Sequence, residues 1–121
     1  MSRSQGEQIE LQVERFLEKR GLQSITRNYS APGGEIDLIM RHQQTLVFVE
    51  VRFRKSSRYG SAAESVDCRK QQRISRTAAH FLQKHPQYQN LVCRFDVVAC
   101  HPDNGSESLQ IEWLSNAFDA Y

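Results

Sequence analysis

The chain has 121 residues, 39% hydrophobic and 25% charged, with a formal net charge of +2. That length suits one domain with a real core, and the composition is that of a globular protein, not a disordered or fibrous one. The mild positive charge permits nucleic-acid binding without demanding it; with no membrane-length apolar run and no signal-type N-terminus, a soluble cytoplasmic protein is expected.

Ser4 and Glu7 have the spacing of a capping box, and Ile9, Val13, Phe16 and Leu17 follow at helical intervals, so a first helix is expected from Gln5 to Arg20, stopped by Gly21. Glu10 sits at the border of its buried stripe, placed either to reach inward or to remain solvated. Gln23 to Tyr29 reads as a strand, and Ala31-Pro32-Gly33-Gly34 as a turn into two apolar runs. These are Gly34-Glu35-Ile36-Asp37-Leu38-Ile39-Met40 and Val47-Phe48-Val49-Glu50-Val51-Arg52-Phe53-Arg54. Ser56 to Ala63 reads as a polar loop. A second helix is expected from near Asp67 to about Lys84, with Ile74, Ala78, Phe81 and Leu82 facing the core and Pro86 just beyond its end. Strands at Leu91 to Cys100 and Leu109 to Leu114 follow, separated by the turn Pro102-Asp103-Asn104-Gly105. A strand, a long helix and a strand in succession imply a parallel crossover, so the expectation is an α/β domain with a mixed β-sheet flanked by helices.

Cys68, Cys93 and Cys100 are odd in number and form no C-x-x-C pair, so they read as reduced thiols. His80 and His85 lack a matching set of metal ligands.

The two apolar runs carry acids, and a carboxylate in such a run is costly unless paired, hydrogen-bonded or bound to a metal. A hairpin centred on Gln43-Gln44 pairs positions that sum to 87, opposing Asp37 to Glu50 and Glu35 to Arg52. Alternation then puts Glu35, Asp37, Glu50 and Arg52 on one face with Ile39 and Phe48. Ile36, Leu38, Met40, Val47, Val49, Val51 and Phe53 fill the other. Opposed Cβ atoms lie roughly 4.5–5.5 Å apart, and two carboxylates that close repel unless a cation intervenes. Asp37 and Glu50 are therefore candidate ligands for Mg²⁺ or Mn²⁺, with the Val51 carbonyl as a further donor. The plain alternative is a Glu35–Arg52 pair with two solvated acids. A metal there would polarise a scissile phosphate and acidify water, and Arg52 would stabilise the developing charge.

Gly6-x3-Glu10, Gly34-Glu35-Ile36-Asp37-Leu38-Ile39, Phe48-Val49-Glu50-Val51-Arg52-x-Arg54, Lys70 and Arg94-Phe95-Asp96-Val97-Val98 together resemble the bacterial UPF0102 (YraN-like) family over nearly the whole chain. That family is placed in the restriction-endonuclease-like, PD-(D/E)XK, superfamily beside archaeal Holliday-junction resolvases. The resemblance implies an α-β-β-β-α-β core and a metal-dependent nuclease acting on branched or structured DNA. By position, Asp37 matches the superfamily's first acid, Glu50 its second, Arg52 the place of its lysine, and Glu10 the helical glutamate of the resolvase-like branch. Arg52 is a departure: arginine stays charged and cannot act as a base, though it still binds phosphate. Resolvases act as symmetric dimers, which allows a homodimer here, although no stretch announces a self-complementary interface.

Eight Lys or Arg residues between positions 52 and 76 face only Glu64 and Asp67. Arg54, Lys55 and Arg58 occupy the strand end and loop, with Tyr59 a weak candidate for base stacking. Arg69, Arg73 and Arg76 share a helical face that is either solvated surface or a phosphate track, and Lys70, which corresponds to a family position, is the best single candidate to point toward the site. The nucleic-acid-binding candidates are thus Arg54, Lys55, Arg58, Arg69, Lys70 and Arg73. Two further readings stand beside the nuclease: a non-catalytic nucleic-acid-binding module of the same fold, and a small adaptor acting through protein contacts.

Overall fold

The computed structural model describes residues 4–54, 66–102 and 108–119. Helix α1 spans Gln5–Glu18, capped by the Ser4 hydroxyl, which accepts the Glu7 N–H at 3.2 Å. It ends two residues before Arg20 because the chain turns back at once: the Leu22 N–H reaches the Leu17 carbonyl at 3.2 Å, with Gly21 at φ +97. A side chain at that φ would clash with its own carbonyl, so glycine closes the helix.

Strands β1 (Gln23–Ala31), β2 (Gly34–His42) and β3 (Thr45–Phe53) form an antiparallel meander. Helix α2 (Cys68–Lys84) follows, then a 3₁₀ turn at Pro86–Tyr88, β4 (Val92–Pro102) and β5 (Leu109–Phe118). The sheet order is β1-β2-β3-β4-β5. β4 runs parallel to β3 from Thr45↔Val92 to Phe53↔Cys100, as a strand–helix–strand crossover requires, and β5 returns antiparallel. β5 runs four residues past the expected Leu114. A register shift opposite Phe95 and Val97, with Asn116 at φ +55, lets Phe118 stack on Phe95 with ring centroids 5.0 Å apart.

Alternation along the central strands sends successive residues to opposite sides. Leu38, Met40, Val47, Val49 and Val98 pack with Ile9, Val13 and Leu17 of α1. Ile39, Phe48, Phe95 and Val97 pack with Ile74, Ala78 and Phe81 of α2. One helix therefore covers each face of a mixed sheet, the α/β arrangement that the element order implied, and it is consistent with the restriction-endonuclease-like core that the resemblance implied. Gly34 starts β2 hard against α2: a Cβ there would lie 2.7 Å from the Thr77 hydroxyl and 3.5 Å from the Arg73 carbonyl. Only a residue without a side chain lets the acid-bearing strand begin this close to the helix.

One detail of the register differs from expectation. The β2–β3 ladder follows the predicted sum, from His42↔Thr45 to Leu38↔Val49, and stops there. Asp37 and Glu50, and Glu35 and Arg52, are not ladder partners. Instead the Asp37 carboxylate accepts the Val51 N–H at 2.8 Å, a side chain standing where a backbone carbonyl would be. The pleat loses its phase at this point. Ile36, expected beside Leu38, lies in the α2 cluster with Ile39.

Candidate functional site

Asp37 and Glu50 line one cleft of about 390 Å³, together with Gly33, Gly34, Glu35, Val51, Arg52, Lys70, Arg73 and Ile74. Four elements build it. β2 brings Glu35 and Asp37, β3 brings Glu50 and Arg52, the β1–β2 turn forms one rim, and the first turns of α2 bring Lys70 and Arg73. The Asp67 carboxylate caps α2 by accepting the Lys70 N–H at 2.9 Å, which fixes where the Lys70 side chain departs. Its ammonium meets Glu50 Oε1 at 2.9 Å, the Glu50 side chain being only 8% exposed.

Glu10 comes from the other side. α1 carries it to the wall between this cleft and a groove of about 540 Å³ along β1, where it hydrogen-bonds Asp37 and Asn28. Asn28 stands at φ +52 on β1, between the partners of Leu38 and Ile36. Asparagine tolerates that left-handed backbone better than the β-branched residues around it. Asn28 was missed as a candidate in the sequence; an Asn within an otherwise extended segment opposite Asp37 was the available signal.

The carboxyl groups are held against their ordinary ionisation. Burial, then the Asp37 charge, pushes Glu10 up to about 7, with the Asn28 hydrogen bond opposing. Asp37 is raised chiefly by burial, while the Val51 N–H and Glu10 hydrogen bonds pull it down. Glu50 is raised by burial and by Asp37, and Lys70 counteracts both. Three acids in partly buried, mutually close positions thus hold protons more tightly than free carboxyls do. The chemistry of the donor set fits a hard cation: Asp37 and Glu50 offer carboxylate oxygens, and Mg²⁺ is commonly held by one or two carboxylates with water completing its shell. Among the described residues no cluster of three or more His, Cys, Asp or Glu side chains suits a metal, and Asp37 and Glu50 are two acids lining one cleft.

The structure thus brings together Glu10, Asp37, Glu50, Arg52, Lys70 and Arg73. Arg69 is exposed and Arg54 lies just past β3, its N–H donating to the Cys100 carbonyl at 2.9 Å; neither lines the cleft. Arg76, the third arginine of the proposed track, is exposed and donates to the Gln72 carbonyl at 3.4 Å. Lys55, Arg58, Tyr59, the Ser56–Ala63 loop and most of the Pro102–Gly105 turn lie outside the described residues.

The model of the Uncharacterised protein family UPF0102 matches residues 9–100, which take in every cleft-lining position and Glu10. The chain belongs to UPF0102. Similar members include the UPF0102 protein of Saccharophagus degradans, 53% identical over 113 residues that cover 93% of this chain and 91% of that one. That of Aeromonas hydrophila is 47% identical over 95% of this chain and 85% of its own, and that of Alcanivorax borkumensis 43% over 93% and 90%. No described helix of this UPF0102 chain is long and apolar enough to cross a membrane. Its three cysteines are free, Cys68 and Cys93 exposed and Cys100 buried.

The matched span also contains Asp96, an acid with a different task. Its carboxylate is fully buried on β4, accepting Arg94 Nε at 3.0 Å, Trp113 Nε1 at 2.8 Å and the Asn116 N–H at 2.9 Å. Those bonds satisfy the irregular backbone at the β5 shift, and they place Asp96 in the architecture, outside the cleft.

Proposed function

We propose that this UPF0102 chain is a cytoplasmic, divalent-metal-dependent nuclease that hydrolyses DNA phosphodiester bonds, with branched or structured DNA as its substrate class. The reading is carried by one observation: two mutually repelling carboxylates from neighbouring strands share a cleft with three cationic side chains. Asp37 and Glu50 would hold Mg²⁺ or Mn²⁺, which when bound supplies Lewis acidity toward a phosphoryl oxygen and acidifies water. Arg52 stays charged through any such step, so it stabilises phosphate charge and never takes a proton. Arg73 and Lys70 offer donors to the flanking phosphate oxygens. Glu10 holds its proton against Asp37 below about pH 7 and thereby sets how much negative charge the pair presents. Incubation with linear, flapped and four-way DNA in Mn²⁺ or Mg²⁺ is expected to give cleavage that EDTA stops. Intact DNA throughout that panel, with binding undisturbed by EDTA, would reject turnover.

The same contacts favour a second reading, a nucleic-acid-binding module without turnover. Lys70 already neutralises Glu50 at 2.9 Å, and no lysine stands at position 52. Its signature is affinity that falls steeply with salt as phosphate counterions are released, irrespective of chelator.

A further inference from the structure

The Lys70–Glu50 contact joins a helix to the sheet across the cleft, and its two ends differ in freedom. Glu50 is nearly buried, whereas the Lys70 side chain is 35% exposed on a flexible four-carbon stem. Its backbone is pinned by the Asp67 cap, so the ammonium is able to leave while the helix stays. Asp37 stands beside Glu50 in the same cleft, its own carboxylate tied to the Val51 N–H. A lone ammonium satisfies one carboxylate of the pair. A dication satisfies both, and it repels an ammonium held at the same oxygen.

We infer that Lys70 is a built-in competitor for the metal: in the metal-free chain its ammonium occupies Glu50, and a cation held by Asp37 and Glu50 displaces it into the cleft. The inference deepens the metal-dependent reading above and rests on it. Displacement has a use. The released ammonium stays tethered at the first turn of α2, on the wall that also carries Arg73, where a phosphate oxygen is the acceptor within reach. Metal binding then prepares the anion site, and by linkage an anion that holds Lys70 away from Glu50 tightens the metal by the same factor.

Calorimetric titration of the full chain with Mn²⁺ tests this without any turnover assay. Lys70→Met is expected to bind Mn²⁺ about tenfold more tightly than the unaltered chain, an ordinary size for coupling between two ligands. Arg73→Met controls for charge, because Arg73 lines the same cleft and forms no carboxylate pair among the described residues. It should stay within about threefold of the unaltered chain, as expected of screened charge in an open cleft. Lys70→Gln, checked with Lys70→Met by thermal melting, guards against a folding artefact. Equal or weaker binding by both folded Lys70 variants overturns the inference, as does equal tightening by Arg73→Met. If neither the unaltered chain nor Lys70→Met binds Mn²⁺, the metal-dependent reading fails and takes the inference with it. Binding by the unaltered chain that Asp37→Asn removes, without tightening in Lys70→Met, leaves that reading standing and defeats the inference alone.

Discussion

Replacing Asp37 by asparagine is expected to abolish metal-dependent cleavage while making the metal-free protein more stable at pH 8. On the proposed reading Asp37 supplies a metal oxygen, and its loss should lower the cleavage rate at least ~10³-fold, equivalent to about 4 kcal/mol in the barrier. The amide oxygen of asparagine still accepts the Val51 N–H, so the strand junction is kept. What disappears is a negative charge that pushes both Glu10 and Glu50 upward.

The sign of the pH effect follows from Glu10. Its carboxyl moves from an ordinary 4.5 to about 7 on folding, so the folded chain keeps a proton that the unfolded chain releases between those values. This contribution to stability is whole below about pH 4.5 and is lost as pH rises through 7; Asp37 and Glu50, also raised, act in the same direction. Melting in EDTA should show the unaltered chain weakening from pH 5 to pH 8, and Asp37→Asn weakening less. Relief of the repulsion, discounted for solvent screening because Glu10 is only partly buried, is worth about 1 kcal/mol, or on the order of 4 °C in Tm at pH 8. Parallel pH profiles for the two proteins would show that the three acids do not share charge as described.

Asp96→Ala is expected to destabilise the fold strongly. The substitution strips the acceptor from Arg94, from the Trp113 indole and from the Asn116 N–H at once, in a place that water does not reach. Breaking a buried charge pair from one side costs about 3–5 kcal/mol, a large part of the ~5–15 kcal/mol that holds an ordinary domain together. Urea unfolding should show the midpoint collapsing with little change in slope, and Asp96→Asn should fall between the two because its oxygen still accepts. A loss under about 1 kcal/mol would mean that the β5 shift is held by something else.

Much of this arrangement was legible in the residues because it follows from local rules. The Gln43-Gln44 turn fixed the hairpin register through Leu38↔Val49, the Ser4 capping box marked the first helix start, and the second began where expected, near Asp67. Asp37 and Glu50 do line one cleft, although the pairing stops one step short of them and they are not ladder partners. The failures arose where a side chain replaces a backbone group. Asp37 entering the ladder shifts the pleat, so Ile36 changes sides, and period-two alternation carries no warning of it. Asp96 stood out as part of a motif, but its partners Trp113 and Asn116 lie 17 and 20 residues away, beyond any spacing rule. Lys70 was read as a phosphate contact; its pairing with Glu50 depends on how α2 lies across β3, which only packing decides.

The sheet's single parallel seam carries a kinetic consequence. The two hairpins close over turns joining Ala31 to Gly34 and His42 to Thr45, whereas the seam must bring Thr45 to Val92. Loop closure makes the seam dearer by about 2–3 kcal/mol of chain entropy, so the meander should form first. Asp37 and Glu50 would then meet as bare like charges before α2 docks, and the folding barrier should shrink in acid. Pulse-labelled hydrogen exchange that protects β4 as early as β2 would contradict this order.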